Sequence, residues 1–273
     1  MTQTERRLFL IEYLLAENPH YSGVQIPEGE TEQHYLLRSL VNVRPADPVS
    51  EAFLRVQDEY LQEENRTRGI TDIADLVPVC NDLYLWRGDI TTLKVDAIVN
   101  AANSRMTGCW QPCHACIDNC IHTCAGIRLR AVCDSIMKKQ GHEEPVGQAK
   151  ITPAFNLPCK FVLHTVGPIV EGQLTQTDCD LLSSCYTSCL DAAQAHGISS
   201  IAFCCISTGV FRFPQEEAAQ IAVAAVKKWK EKKEQTMLRP DMAGAATRMK
   251  VVFNVFSEKD EGIYRRILYE RSY

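Results

Sequence analysis

Between Gly108 and Gly126 the chain crowds Cys109, Cys113, His114, Cys116, Cys120, His122 and Cys124 into one short segment. Thiolates and imidazoles at such spacing are good zinc ligands, and in a reducing compartment they point to metal or buried thiols rather than disulfides. Two thiolates and one imidazole would leave the fourth tetrahedral position open to water or substrate. Four protein ligands drawn from Cys109, Cys113, His114 and Cys116 would instead close a structural site, although adjacent Cys113 and His114 would then need opposed directions to converge. An open zinc ion polarises an oxygen or lowers the pKa of water towards neutrality. A metal-free loop of buried thiols is the plain alternative. Cys116, Cys120 and Cys124 recur at helical spacing, and for the last two small apolar packing is the expected role. Asp118 either orients a ligand histidine or a water, or is an acidic residue favoured in the first turn of a helix.

Three other segments suit a phosphorylated ligand. In Gly88-Asp89-Ile90-Thr91 the aspartate can accept from an amine such as the exocyclic group of adenine, against the alternative of a simple turn. In Asn100-Ala101-Ala102-Asn103-Ser104 the alanines leave room at the backbone, and asparagine can bond sugar hydroxyls or merely its own turn. Ser207-Thr208-Gly209-Val210-Phe211 offers backbone N–H groups near a helix start, an anion cradle without the spacing or lysine of a nucleoside-triphosphate loop.

These segments need elements to hold them. The pattern predicts strands at Asp82–Trp86, Val95–Asn100, Gly147–Thr152, Phe161–Thr165, Ile201–Ile206 and Val251–Phe256. Helices are expected from about Cys116 to Gln140, from Asp180 to Ala195, from Pro214 to about Glu234, and from Glu258 to Glu270. Strands alternating with helices imply an α/β sheet with helices on both faces, where ligand sites collect beyond the strand C-termini. Residues 1–79 read differently, as apolar helical runs broken near Asn18-Pro19, with Ser50 as an N-cap for the third. That region is expected to be a helical extension packed on an 80–273 domain, without a chemical motif of its own.

Composition narrows the classes. A net charge of −5 gives no overall attraction to nucleic acid or acidic lipid. The basic run Lys227–Lys233 reads as a solvated helix face, with a nucleic-acid surface as the rival view. Thirteen cysteines cannot all pair within the chain, the N-terminus does not read as a signal peptide, and no long apolar run suggests a membrane span. A cytoplasmic protein is expected, and a secreted disulfide scaffold is excluded. Cys133, Cys159, Cys179, Cys185, Cys189, Cys204 and Cys205 are expected in the core, His122 and His164 in packing roles, and His142 and His196 at the surface.

The run from Gly88 through Ser104, followed by Ser207-Thr208-Gly209-Val210-Phe211, resembles the macrodomain, a three-layer α/β/α fold with a mixed central sheet that binds ADP-ribose. The resemblance covers about residues 80–273. Arg212 departs from it, standing where many macrodomains carry glycine. The segment after Asn103 departs from the glycine-rich loop of familiar macrodomain hydrolases and is similar to the zinc-dependent microbial subclass with a Cys-x4-His-x-Cys loop, matched by Cys109, His114 and Cys116. The resemblance implies a hydrolase that removes mono-ADP-ribose from protein side chains. In that picture Asp89, with Ile90 and Phe256, holds the adenine end, and Ser207, Thr208, Gly209, Val210 and Phe211 bind the diphosphate. Asn103 positions the distal ribose beside Zn2+ on Cys109, His114 and Cys116. The implied partner is a protein modified by a sirtuin-type transferase, a lipoyl-carrier protein among the candidates. The alternative is a reader that binds ADP-ribose around a structural zinc without turnover.

Overall fold

A computed structural model describes residues 1–237 and 248–269. The chain opens with three helices, α1 (Gln3–Glu17), α2 (Glu30–Val43) and α3 (Glu51–Arg68). Thr2 and Ser50 cap α1 and α3 by accepting the N–H groups of Glu5 and Phe53, each at 3.2 Å. Leu10, Ile11, Leu14, Leu37, Leu40, Phe53, Val56 and Tyr60 form the core of this extension, and Ile127 from the following domain completes it. Two short strands, β1 (Thr71–Asp72) and β3 (Leu93–Lys94), pair in parallel around β2 (Leu83–Arg87) in the chain.

The main sheet takes β2, β4 (Ala97–Ala102), β5 (Ala149–Pro153), β6 (Phe161–Val166), β7 (Ser200–Phe203) and β8 (Lys250–Val255). Its order is β2-β8-β7-β4-β6-β5, with all neighbours parallel except β5 against β6. The central strands are buried on both faces and so read as apolar runs, as in Ile98-Val99 and Val251-Val252-Phe253. Helices α4 (Ile117–Ala125), α5 (Ile127–Gln140), α6 (Gln176–Ala195), α7 (Gln215–Met237) and α8 (Glu258–Tyr269) complete the layers. The mixed sheet, the flanking helices and the helical extension are those expected; Glu270, the expected last helical residue, lies outside the described residues.

One expected helix is two. The run from Cys116 to Gln140 breaks at Gly126, whose φ is +91°. A Cβ there would stand 2.7 Å from Gln57 Nε2 and 3.1 Å from Leu61 Cδ1, so α3 packs directly on the break. Gln57 Oε1 then accepts the N–H of Ile127 at 3.1 Å, supplying a partner that the start of α5 would otherwise lack.

Candidate active site at the C-terminal edge of the sheet

The parallel strands β2, β8, β7 and β4 all deliver their C-termini to one edge, which places the expected ligand segments together. Arg87 pairs with Val255, and the Gly88 N–H bonds the Val255 carbonyl at 3.1 Å, so Asp89 and Phe256 leave neighbouring strands. Asp89 Oδ1 accepts from the Thr91 N–H at 2.9 Å and the Thr91 hydroxyl at 2.7 Å, and its Oδ2 from Arg68 of α3 at 2.9 Å. Phe256 is 81% exposed, so its ring is not part of the core. Ile90 is buried in the core, so any contact with a ligand passes through its backbone.

After β7, Ser207 and Arg212 adopt left-handed φ of +63° and +59°. The loop closes on itself through Arg212 N–H to the Gly209 carbonyl and Phe213 N–H to the Ser207 carbonyl, both 3.0 Å. Among the described residues no protein acceptor takes the N–H groups of Thr208, Gly209, Val210 or Phe211. They stand just ahead of α7, an arrangement suited to an anion. The departure at Arg212 now has a physical meaning: this position needs the conformation that glycine adopts without strain.

After β4, Asn103 donates to the Gly108 carbonyl at 3.0 Å and to Asp118 Oδ2 at 3.1 Å, while its Oδ1 accepts the Arg105 N–H at 3.0 Å. Asn100 donates to Asp118 Oδ1 at 2.8 Å. Burial pushes the Asp118 carboxyl up to about 6, with the two asparagine bonds and the Arg130 charge working against that rise. Asp118 stands in the first turn of α4, as the second reading had it, and there it is a buried acceptor for Asn100 and Asn103.

The Cys/His segment then folds as an irregular loop. Gly108 has φ +82°, and a Cβ there would lie 2.8 Å from Cγ of His122, so the loop starts only where glycine permits. One ligand atom each from Cys109, His114 and Cys116 lie within 4.8 Å of one another, all half-buried. Cys116 caps α4, its Sγ taking the Asn119 N–H at 3.4 Å. Burial pushes the Cys116 thiol up to about 12, with the Asn119 bond opposing and the neighbouring Cys109 and Asp118 adding. Cys113 turns the other way: its φ is +52° and its Sγ faces Ser39 Oγ at 3.2 Å and the Tyr35 carbonyl at 3.5 Å. Two sulfurs and one imidazole, half-buried and not joined by Cys113, fit a zinc ion held by three protein ligands.

A second triplet, His122, Cys133 and His164, meets the same distance but is buried, and both nitrogens of His164 already face Asn100 and Thr152. His122 is buried with neither ring nitrogen paired, Asp118 Oδ1 standing 3.6 Å from Nε2. Desolvation, aided by His164 and Arg130, holds it well below the ordinary histidine range. Cys120 and Cys124 do not simply pack: their sulfurs lie 3.6 Å from the guanidinium groups of Arg38 and Arg68. His142 and His196 are exposed, and Cys133, Cys159, Cys185, Cys189 and Cys204 are buried, as expected, while Cys179 and Cys205 are partly buried against the core. In the basic run, Trp229 is buried and donates to Asp191 at 2.8 Å, so no aromatic is interleaved with the lysines at the surface.

The residues missed in the sequence lie in α2 and α3. Arg38, Ser39 and Asn42 contact the Cys/His loop, and Arg68 contacts Asp89. The signal was present as polar residues at i, i+1 and i+4 on α2, masked by the stronger periodicity of the apolar face beside them.

A mixed six-stranded α/β/α sheet whose parallel strands converge on an aspartate turn, an asparagine loop and a small-residue cradle defines a macrodomain. The chain belongs to the Macro domain family, which matches residues 99–222. It is 66% identical over 272 residues to a Treponema medium protein named Protein-ADP-ribose hydrolase, spanning 98% of this chain and 100% of that one. A Staphylococcus aureus (strain MSSA476) protein of the same name is 47% identical over 259 residues, spanning 94% and 92%. Among solved structures, the Oceanobacillus iheyensis macrodomain with ADP superposes with a TM-score of 0.61 at 32% identity, covering 71% of this chain and 94% of that one. The Trypanosoma brucei macrodomain in complex with ADP-ribose gives 0.62 at 29% identity, covering 88% and 96%. Among the described residues no helix is long and apolar enough to cross a membrane.

Proposed function

We propose that this protein hydrolyses the bond between mono-ADP-ribose and a protein side chain, using a zinc ion on Cys109, His114 and Cys116. One observation carries the reading: the three donor atoms gather within 4.8 Å, beside the Asn103–Asp118 pair and on the same sheet edge as Asp89 and the 207–211 cradle. The name shared by the Treponema medium and Staphylococcus aureus relatives supports it.

In this mechanism the chain's residues bind, orient and exclude. Phe256 offers its exposed ring to the adenine face, and Asp89 presents a carboxylate that Thr91 and Arg68 hold still. The N–H groups of Thr208 to Phe211 meet the diphosphate, helped by the start of α7. Asn103 has both amide protons engaged, by Gly108 and Asp118, and its Oδ1, which already accepts the Arg105 N–H, has a second lone pair to accept from a hydroxyl of the distal ribose. Buried Asp118 holds that amide in one orientation. Zinc, when bound, supplies Lewis acidity towards an oxygen at the ribose end. By resemblance alone, the substrate is a protein modified by a sirtuin-type transferase, such as a lipoyl-carrier protein.

The test pairs metal analysis with release of ADP-ribose from a mono-ADP-ribosylated protein, with and without a chelator. The expected result is stoichiometric zinc and release that chelation abolishes and zinc restores. Full release by verified metal-free protein would refute the zinc dependence. Tight ADP-ribose binding with no release from any modified protein would instead support the reader.

A further inference from the structure

The segment from Thr107 to Cys116 forms no helix or strand, so its path depends on side chains that grip its peptide groups. Asn103 holds the Gly108 carbonyl, and Arg130 Nε holds that of Thr107 at 2.7 Å. Further grip comes from α2. Arg38 Nη2 donates to the His114 carbonyl at 2.8 Å and to Asn119 Oδ1 at 2.9 Å, with Nε adding a 3.3 Å contact to the same oxygen. Asn42 Oδ1 accepts the Cys113 N–H at 2.9 Å, and Ser39 Oγ faces Cys113 Sγ. Tyr35, Arg38, Ser39 and Asn42 occupy one face of α2 at helical spacing.

We propose that Arg38 is the positioning residue of the metal loop, holding His114 and Asn119 so that the three donor atoms are gathered before the ion binds. This rests on the metal reading above. Each ligand residue has a distinct tether. Cys109 follows Gly108, which Asn103 holds. Cys116 is fixed as the cap of α4. His114 has a turn bond from its own N–H to the Gln111 carbonyl at 3.3 Å and a ring contact from Nδ1 to Cys109 Sγ at 3.6 Å, and its carbonyl is held by Arg38.

Asn119 extends the effect. A guanidinium only donates, so it draws Asn119 Oδ1 towards itself and turns Nδ2 to the Gln111 carbonyl, 2.9 Å away. The Asn119 N–H meanwhile meets Cys116 Sγ. One side chain on α2 thus reaches the loop at Gln111, His114 and, through Asn119, Cys116. A lysine ammonium is a point charge and cannot reproduce this planar fork.

The test measures zinc affinity by competition with a chromogenic chelator, using the full chain stripped of metal and then titrated. Wild type is compared with Arg38→Met and Arg38→Lys, and ADP-ribose affinity and thermal midpoint are recorded for each. Arg38→Met is expected to weaken zinc binding about 10–100-fold, the usual effect of removing an outer partner of a metal site. Arg38→Lys should lose less, and ADP-ribose affinity should be unchanged in both. If Arg38→Met fails to fold, the lysine variant carries the comparison. Unchanged zinc affinity in a variant of a wild type that does bind zinc overturns this proposal and leaves the metal reading intact. Equal losses of zinc and ADP-ribose affinity also overturn it, because the effect would be a general one. A wild type that takes up no zinc overturns the metal reading and this proposal with it.

Discussion

Acidification should destabilise this protein in part through His164 of β6, and by a size that its surroundings set. The ring is fully buried. Its Nδ1 lies 3.2 Å from Asn100 Nδ2, and its Nε2 lies 2.9 Å from Thr152 Oγ1. An amide nitrogen donates, so Nδ1 accepts and the single ring proton sits on Nε2. Protonation would set one donor against another in a site closed off from bulk solvent. Burial accordingly pulls the pKa of His164 down from 6.5 to about 4. The unfolded chain therefore binds more protons across that interval. The stability contribution is fully present above the unfolded pKa and is lost as pH falls through the folded one. At about 1.4 kcal/mol per pH unit the loss is about 3 kcal/mol.

His122 shifts in the same direction and Asp118 in the opposite one, so wild type alone does not isolate the effect. Urea unfolding of wild type and His164→Gln, at several values between about pH 7 and pH 4, separates them by subtraction. The wild-type advantage should shrink by about 3 kcal/mol across that range. A difference that stays flat with pH would refute the assignment of a neutral, Nε2-protonated ring.

Phe256→Ala should weaken ADP-ribose binding by about 1–2 kcal/mol in calorimetry, the worth of one base–aromatic stack, while leaving the melting temperature in place. Arg212→Gly should raise stability by up to about 1 kcal/mol in denaturant unfolding, because it relieves a left-handed residue at φ +59°. Gly126→Ala should lower stability by about 2 kcal/mol or more by the same assay, since it combines a φ of +91° with a Cβ 2.7 Å from Gln57 Nε2.

The alternation of strands and helices was legible because apolar runs such as Ile98-Val99 and Ile201-Ala202 are buried on both faces. Ser50 capped its helix as read, since capping is a local interaction. The break at Gly126 was not legible. The apolar pattern runs through it, and what enforces it is Gln57 and Leu61, side chains of a helix distant in the chain. Ile90 shows the limit of motif reading: it belongs to the ligand motif, yet its side chain serves the core. The Cys/His cluster announced itself, but the direction of Cys113 did not, because its left-handed backbone and its contacts with Ser39 and Tyr35 depend on where α2 lies.

The contact between α2 and the Cys/His loop also bears on the order of events in folding. Arg38 and Asn119 are separated by 81 residues, and Asn42 and Cys113 by 71. The helix leaves the ribosome first and must wait for its partner, and closing so long a loop is entropically unfavourable until both surfaces exist. The shape of the Cys/His loop is therefore a late product, completed when the first and middle thirds of the chain meet. A chain begun at Asn81 would keep Cys109, His114 and Cys116 and lose the wall they are built against.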